Sequence, residues 1–548
     1  MTADIVTMAP EVLAGSFLAH AVYGGEYIDP AFNLPGDNDD ELNDDYRGYL
    51  ASQQPGWQLL TSTEMTSFNG HGGDAYFTAG GLYNARAFTG TTHSFDAQGL
   101  VAVEGDTLVM TFRGTDLEDP AVLSGQAFTG AGLAANYKAF KPMIDAVYDY
   151  IASHPDIHKI VVSGHSLGGA MADIFALADA ARFRALLPGG LTIVSLASSG
   201  VSPDLPQFLG GLDPSAATIT KHVVEILGIN VKVPMIDSLT TPADHISISN
   251  AGDRAHFPNN YPDVPEDFGL VPITTLKDNL HFTDDAVFNV PNIDNSEVIY
   301  RDPLDHPLDF RGMGAQHNAG LIWANLQGLL ADPLKDNLTS QKLIFGITDY
   351  NALPDWDGSP IQLFDGYVHR DDFHYDWDQF GHALQGGAEA DYILGLTGND
   401  RLVGRGGADL LSGGAGADVL IGGGGGDKLA GGTGRDTLTG NTGADRFVFA
   451  ALDHSAVGLQ RDTIADFVAA EGDRIDVSKI DAKAGIPGDQ DFQFIGSAAF
   501  TGEGQIRAVQ SGADTILRFN AVGTAGTDMD ILLKDVVAAS LHGTDFIL

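Results

Sequence analysis

Two hydrophobic rhythms divide the chain. Between about residues 60 and 335, short apolar runs rich in β-branched residues alternate with longer segments whose apolar positions recur every three to four residues. The runs TLVMTF (107–112), HKIVVS (158–163), LTIVSLAS (191–198) and HISISN (245–250) predict strands, and 136–153, 170–187 and 318–330 predict helices. Strands that alternate with helices form a largely parallel sheet, because each return to the same edge needs a crossover. From residue 386 the rhythm changes to a strict nonapeptide: GGAEADYIL, GLTGNDRLV, GRGGADLLS, GGAGADVLI, GGGGGDKLA, GGTGRDTLT, GNTGADRFV. The eighth place of each repeat is apolar: Ile393, Leu402, Leu411, Leu420, Leu429, Leu438 and Phe447.

A six-residue Gly-rich turn followed by a three-residue strand predicts a coil with two strands and two turns every eighteen residues. Turns on one side then stack one strand spacing apart, roughly 4.8 Å. The sixth place of every repeat is an aspartate, giving Asp391, Asp400, Asp409, Asp418, Asp427, Asp436 and Asp445. Stacked carboxylates such as Asp400 and Asp418 repel each other unless a cation sits between them. Calcium suits the place, since it takes six or more oxygens in flexible geometry and glycine turns expose carbonyls. The turn glycines expected to take part are Gly413, Gly414, Gly416, Gly422, Gly423, Gly425, Gly431, Gly432 and Gly434. A disordered Gly/Asp linker is the plain alternative, and it does not keep an apolar residue at every ninth position.

These repeats resemble the RTX calcium-binding β-roll of bacterial toxins, proteases and lipases. The stretch RDTIADFVAAEGDRIDVSKID (461–481) resembles the segment that caps such rolls, and the closing residues Asp545 to Leu548 are similar to a type I export signal. The resemblance implies export from a Gram-negative cell by the type I (ABC) machinery, with a chain that stays unfolded at low calcium and folds outside.

Composition agrees with this picture. The 548 residues leave room for two or three domains, and a net charge of −44 argues against nucleic acid as a partner. There is no cysteine, so neither disulfides nor thiolate metal sites contribute. No basic residue precedes Arg47, so the apolar start lacks the charged region of a secretory signal, and no run is long enough for a transmembrane segment.

One short stretch carries candidate chemistry. In VVSGHSLGGAMAD (161–173) a Gly-x-Ser-x-Gly follows a β-branched run and precedes a strong helix former. In a chain with 68 glycines the pentapeptide alone is a weak signal; its strand-to-helix context is the informative part. A nucleophile elbow belongs at such a turn, with Gly164 and Gly168 removing side chains that would collide there. Ser166 is then the nucleophile, and the backbone N–H of Leu167 faces developing negative charge at the helix start. His165, beside the nucleophile, is read as packing or shaping the site and not as the base.

The piece LVMTFRGTD (108–116) resembles the strand and loop of the class 3 lipase family, which implies Thr115 as second oxyanion donor. In HISISNAGDRAHF the resemblance implies Asp253 as the triad acid; Asp204, Asp213, Asp237 and Asp244 compete as solvated loop acids. His317, ahead of the helical run NAGLIWANLQGLL, matches the family's histidine-before-helix arrangement, with His306 in DPLDHPLDF as rival. The segment 216–229 has apolar residues at helical spacing, so it reads as core or as a lid. The expected organisation is an α/β hydrolase-type catalytic domain over 1–345, a linker over 346–382, and an all-β parallel β-roll with cap and export signal over 383–548. The expected activity is hydrolysis of acylglycerol esters at a lipid–water interface. Phospholipase A1 and polyesterase are the nearest alternatives, and a non-catalytic calcium-dependent adhesion protein is the alternative of another class.

Overall fold

The computed structural model describes residues 9–21, 56–65, 75–77, 81–89, 92–114, 129–188, 190–196, 198, 200–202, 205–209, 217–226, 229–239, 244–250, 281–282, 286–289, 319–338, 341–345, 383–483, 485–523 and 526–548. The four expected strands are present as Thr107–Phe112, Lys159–His165, Leu191–Leu196 and Asp244–Asn250, neighbouring and parallel in that order. Leu82–Thr89 and Thr92–Glu104 extend the sheet antiparallel on the Thr107–Phe112 side. Because side chains alternate along a strand, each face receives its own core. Leu108, Met110, Ile160, Val162 and Ile193 pack with the helices Gly130–Ser153, Leu167–Ala178 and Ala180–Leu186. Val109, Val161, Val194 and Leu196 pack on the opposite face with Val12 and Leu18 of the helix Ala9–Ala21 and with Leu326, Leu329 and Leu330 of the helix Ala319–Ala331. The apolar amino-terminal segment is therefore a core helix, tied to the sheet by a 2.7 Å pair between Lys159 and Glu11.

Two expectations need correction. The helix expected over 170–187 is two helices divided at Asp179, whose carboxylate accepts from Tyr137 (2.5 Å) and Lys141 (2.7 Å) and pairs with Arg182. The described residues of the segment 216–229 are strand, not helix. They supply Ala217–Ile226 and the start of Ile229–Leu239, an antiparallel hairpin in which Ile226 pairs with Ile229, and His281–Phe282 adds a third strand. Apolar spacing in TITKHVVEI suits either period, but Thr, Ile and Val resist the helix and favour the pleat once a partner strand exists.

The repeats wind into the expected coil. Odd turns place Asp391–Leu394, Leu410–Gly416, Lys428–Gly434 and Arg446–Val448 in one parallel sheet. Even turns place Ala383–Gln385, Arg401–Gly406, Val419–Gly424 and Thr437–Thr442 in a second. Leu402, Leu420 and Leu438 come into register on one side and Ile393, Leu411 and Leu429 on the other, all fully buried between the two sheets. The strand Lys342–Phe345 pairs in parallel with both Ala286–Asn289 and Asp391–Leu394, so the α/β sheet and one sheet of the roll are a single 16-stranded sheet. Beyond the repeats, the antiparallel strands Gln505–Ser511, Asp514–Asn520 and Met529–Leu533 close the end of the roll.

Candidate active site

The strand Lys159–His165 runs straight into the helix Leu167–Ala178, with Ser166 alone at the bend. Its backbone stands at φ 58° and ψ −122°, a conformation that costs a non-glycine residue about 1–3 kcal/mol and persists only where surroundings enforce it. The enforcement is visible. Ser166 N–H donates to Leu196 O at 3.0 Å, and Ala170 N–H donates to Ser166 O at 3.1 Å. A Cβ on Gly164 would stand 2.1 Å from Gly168 O, and a Cβ on Gly168 would stand 2.1 Å from Phe112 O. Both glycines are thus required by backbone contact, and the elbow helix presses directly on the end of the strand that leads to Arg113 and Gly114.

Ser166 is 2% exposed, and its side chain does not cap the helix that it precedes. Leu167 is the first helical residue, so its N–H has no acceptor within the helix and lies beside the serine. His165, also buried, is the last residue of the strand and pairs in register with Leu196. Thr115 follows the described Arg113 and Gly114 and lies outside the described residues, as do Asp253, His317 and the rival His306. The elements flanking them are in place. The strand Asp244–Asn250 ends three residues before Asp253, and the helix Ala319–Ala331 begins two residues after His317.

A second buried carboxylate near the elbow was not picked out from sequence. Asp173, on the elbow helix, accepts from Ser198 Oγ at 2.6 Å, and Ser198 Oγ accepts from Gly200 N–H at 3.0 Å. These bonds fasten the loop after Leu191–Leu196 against the elbow helix. The only sequence signal is an acidic residue inside the apolar run AMADIFALA, which is informative only once its partner is known.

The roll forms the other candidate site. From Asp409 onward each repeat aspartate accepts, through Oδ1, the backbone N–H of the aspartate one turn earlier: Asp391 N–H donates to Asp409 at 2.8 Å, Asp400 to Asp418 at 2.7 Å, Asp409 to Asp427 at 2.9 Å, Asp418 to Asp436 at 2.8 Å and Asp427 to Asp445 at 2.9 Å. The other oxygen is buried and unpaired within the chain in Asp409, Asp418, Asp427, Asp436 and Asp445. Each of these points into a space left by a glycine. The position of a Gly413 Cβ lies 2.3 Å from Asp418 Oδ2 and 2.5 Å from Gly431 O, and that of Gly422 lies 2.3 Å from Asp427 Oδ2 and 2.9 Å from Gly440 O. Among the described residues no group of three or more His, Cys, Asp or Glu side chains could hold a metal ion, so a cation in the roll would need backbone carbonyls beside the carboxylates. Hard oxygens alone, buried and without a hydrogen-bond donor in the chain, fit calcium.

The ladder runs past the seven repeats. Asp436 N–H donates to Asp462 Oδ1 at 2.8 Å, and Asp445 N–H donates to Asp473 Oδ1 at 3.1 Å. Sequence reading missed both because the spacing grows to 26 and 28 residues. The surviving signal is the triplet of aspartate, any residue and isoleucine in Asp462-Thr463-Ile464 and Asp473-Arg474-Ile475. Burial raises the carboxyl of Asp462 to about 8, with Asp436 and Asp418 adding repulsion.

Comparison with known proteins supports both halves. Residues 92–201 match the family Lipase (class 3), and residues 384–548 match the family Peptidase M10 serralysin C terminal. No curated protein matches the chain by sequence. Among solved structures, extracellular lipase LipA from Serratia marcescens is similar over 100% of this chain and 97% of its own, at 16% identity and TM-score 0.39. Lip2 lipase from Yarrowia lipolytica is similar over 59% of this chain and 91% of its own, at 16% identity and TM-score 0.26. The AlgE6R3 subunit of the Azotobacter vinelandii mannuronan C5-epimerase covers 31% of this chain and 79% of its own, at 29% identity and TM-score 0.18. These superpositions are loose, so the weight falls on the two family segments and on the topology above. Among the described residues no helix is long and apolar enough to cross a membrane. With an elbow in its class 3 lipase segment and a serralysin-type repeat domain behind it, the chain has the two-part build of an RTX lipase and is a hydrolase of the lipase/esterase class.

Proposed function

We propose that the protein is an extracellular, calcium-dependent lipase that cleaves acylglycerol esters through an acyl-enzyme on Ser166. The observation that carries this reading is the positive φ of Ser166 at a strand-to-helix bend walled by Gly164 and Gly168. His317 takes the Ser166 proton as Oγ attacks the ester carbonyl carbon, and Asp253 holds the imidazole in orientation. The N–H groups of Leu167 and Thr115 receive the charge that develops on the carbonyl oxygen. As the tetrahedral intermediate collapses, the alcohol leaves with the proton from His317. Water, deprotonated by the same imidazole, then releases the fatty acid and restores the serine.

Asp391, Asp400, Asp409, Asp418, Asp427, Asp436 and Asp445, with the carbonyls of the glycine turns, would hold calcium, whose charge would neutralise carboxylates that otherwise repel along the stack. Support for that assignment is the set of buried, unpaired Oδ2 atoms aimed at glycine-walled spaces. Type I export follows from the serralysin-type domain and would deliver the chain to a calcium-rich exterior.

A fluorophosphonate probe tests the reading. The calcium-loaded chain is expected to be labelled at Ser166, and Ser166→Ala is expected to lose labelling and at least about 1,000-fold in kcat on p-nitrophenyl esters. An unlabelled wild-type protein with an intact calcium-loaded roll would leave only the adhesion alternative. Rates on triacylglycerol and on phosphatidylcholine, compared in one preparation, separate lipase from phospholipase.

A further inference from the structure

The roll does more than follow the catalytic sheet; its outer face is part of the catalytic core. Tyr392, Leu394, Leu410, Ala430 and Val448 pack in one buried cluster with Leu326, Leu329 and Leu330 of the helix Ala319–Ala331. Within that helix, Gly328 lies so close to Leu396 of the roll that a Cβ would stand 2.4 Å from its Cδ2.

Polar contacts tighten the same junction just past the helix. Asp332 is 7% exposed, and its carboxylate is held by the Tyr392 hydroxyl, by Ser412 and, at 2.8 Å, by Leu334 N–H. Burial pushes this carboxyl up, and the three donors oppose that push. Lys428 donates to Asn337, and Lys479 donates to Pro333 O at 2.6 Å and to Asp336 at 3.2 Å. Tyr392 is the residue after Asp391, whose N–H bonds Asp409 at the first rung of the carboxylate ladder. Ile393, the next residue, turns inward to the roll core. A rung of the ladder is thus one residue from a hydroxyl that grips the end of the helix, and the other end of that helix begins two residues after His317.

We propose that Tyr392 and Asp332 are positioning residues that couple cation loading of the first roll turns to the setting of the helix Ala319–Ala331 and, through it, to the catalytic base. The catalytic part of this inference rests on the assignment of His317 made above. Where both carboxylates are ionised and no cation lies between them, repulsion between Asp391 and Asp409 spreads the first turns, Tyr392 withdraws, and Asp332 loses a donor it cannot replace from water. The helix then loses both its apolar wall and its polar anchor.

The test uses the full chain with Tyr392→Phe, which keeps the ring in its cluster, and with Asp332→Asn. Four readouts are taken across a calcium titration: far-UV dichroism of the roll, hydrogen exchange of the peptide 319–331, fluorophosphonate labelling of Ser166, and kcat and KM on a short p-nitrophenyl ester. In wild type, helix protection and labelling are expected to rise at the same calcium midpoint as the roll. In each variant the roll midpoint is expected to stay within about twofold while exchange in 319–331 at saturating calcium speeds up about fivefold or more. kcat is expected to fall about fivefold to tenfold with KM nearly constant, and the double variant is expected to be no worse than either single. Helix exchange that stays at the wild-type rate in both variants overturns the coupling, as does a roll midpoint that shifts in step with every other readout. If wild type is not labelled yet helix exchange still follows Tyr392, the serine-hydrolase reading fails and the coupling stands. If wild type is labelled and the variants match it, the coupling fails and the enzyme remains.

Discussion

A serine at φ 58° between two glycines that cannot carry a side chain is a costly arrangement, and the contacts around it show what sustains it. The Leu196 carbonyl takes the Ser166 N–H, and Phe112 and Gly168 close the space behind. Gly168→Ala places a methyl 2.1 Å from Phe112 O, which neither backbone can relieve without moving a central strand or the elbow helix. The expected loss is about 1–3 kcal/mol or more, read as a lower denaturant midpoint with unchanged slope, together with most of the esterase activity. A variant as stable and active as wild type would show that the elbow is not built as tightly as these contacts require.

At the scale of the element, the roll is a stack of carboxylates that burial makes reluctant to ionise. In the metal-free chain, desolvation is the first cause that lifts Asp409 to about 7, Asp418 and Asp462 to about 8, and Asp436 and Asp445 to about 6, against an ordinary 3.8. A folded state that holds protons more tightly than the unfolded chain is favoured at low pH and loses stability as pH rises through the folded values. With chelator, roll structure is therefore expected to persist near about pH 5 and to disappear by about pH 8 when followed by far-UV dichroism. With calcium the slope reverses. Affinity is expected to rise between about pH 6 and 8, and calorimetry in buffers of different ionisation enthalpy should show protons released on binding. Calcium affinity independent of pH over that window would contradict the buried, protonated state of these rungs.

Across the whole molecule, one 16-stranded sheet and one shared core cluster join roll to catalytic unit. A chain ended at residue 382 keeps the strand Lys342–Phe345 but loses the neighbour that covers it, together with Tyr392, Leu394, Leu410, Ala430 and Val448. Each large apolar side chain so removed from a core is worth about 1.5–3 kcal/mol, against a total stability of about 5–15 kcal/mol for a typical domain. The shortened chain is expected to lack a cooperative thermal transition by calorimetry. If it melts within a few degrees of the full chain, the roll is an attachment and not a wall.

The local sequence determined a good deal of this protein, wherever a strong pattern is confined to neighbouring residues. Strands such as TLVMTF and LTIVSLAS, the strand-to-helix turn around Ser166 and the eighteen-residue coil all follow from short-range periodicity and from glycine's freedom at tight bends. What tertiary structure alone decided are pairings across long separations. Ala217–Ile226 and Ile229–Leu239 became antiparallel partners because each supplied what helical spacing does not. Asp462 and Asp473 joined the ladder across insertions that erase the period, and Asp173 acquired its role from Ser198. Tyr392 looks like any strand residue in the repeat; only the fold brings Asp332, sixty residues earlier, to its hydroxyl. Contacts of that kind depend on which surfaces meet after the chain has folded, and no local pattern encodes the meeting.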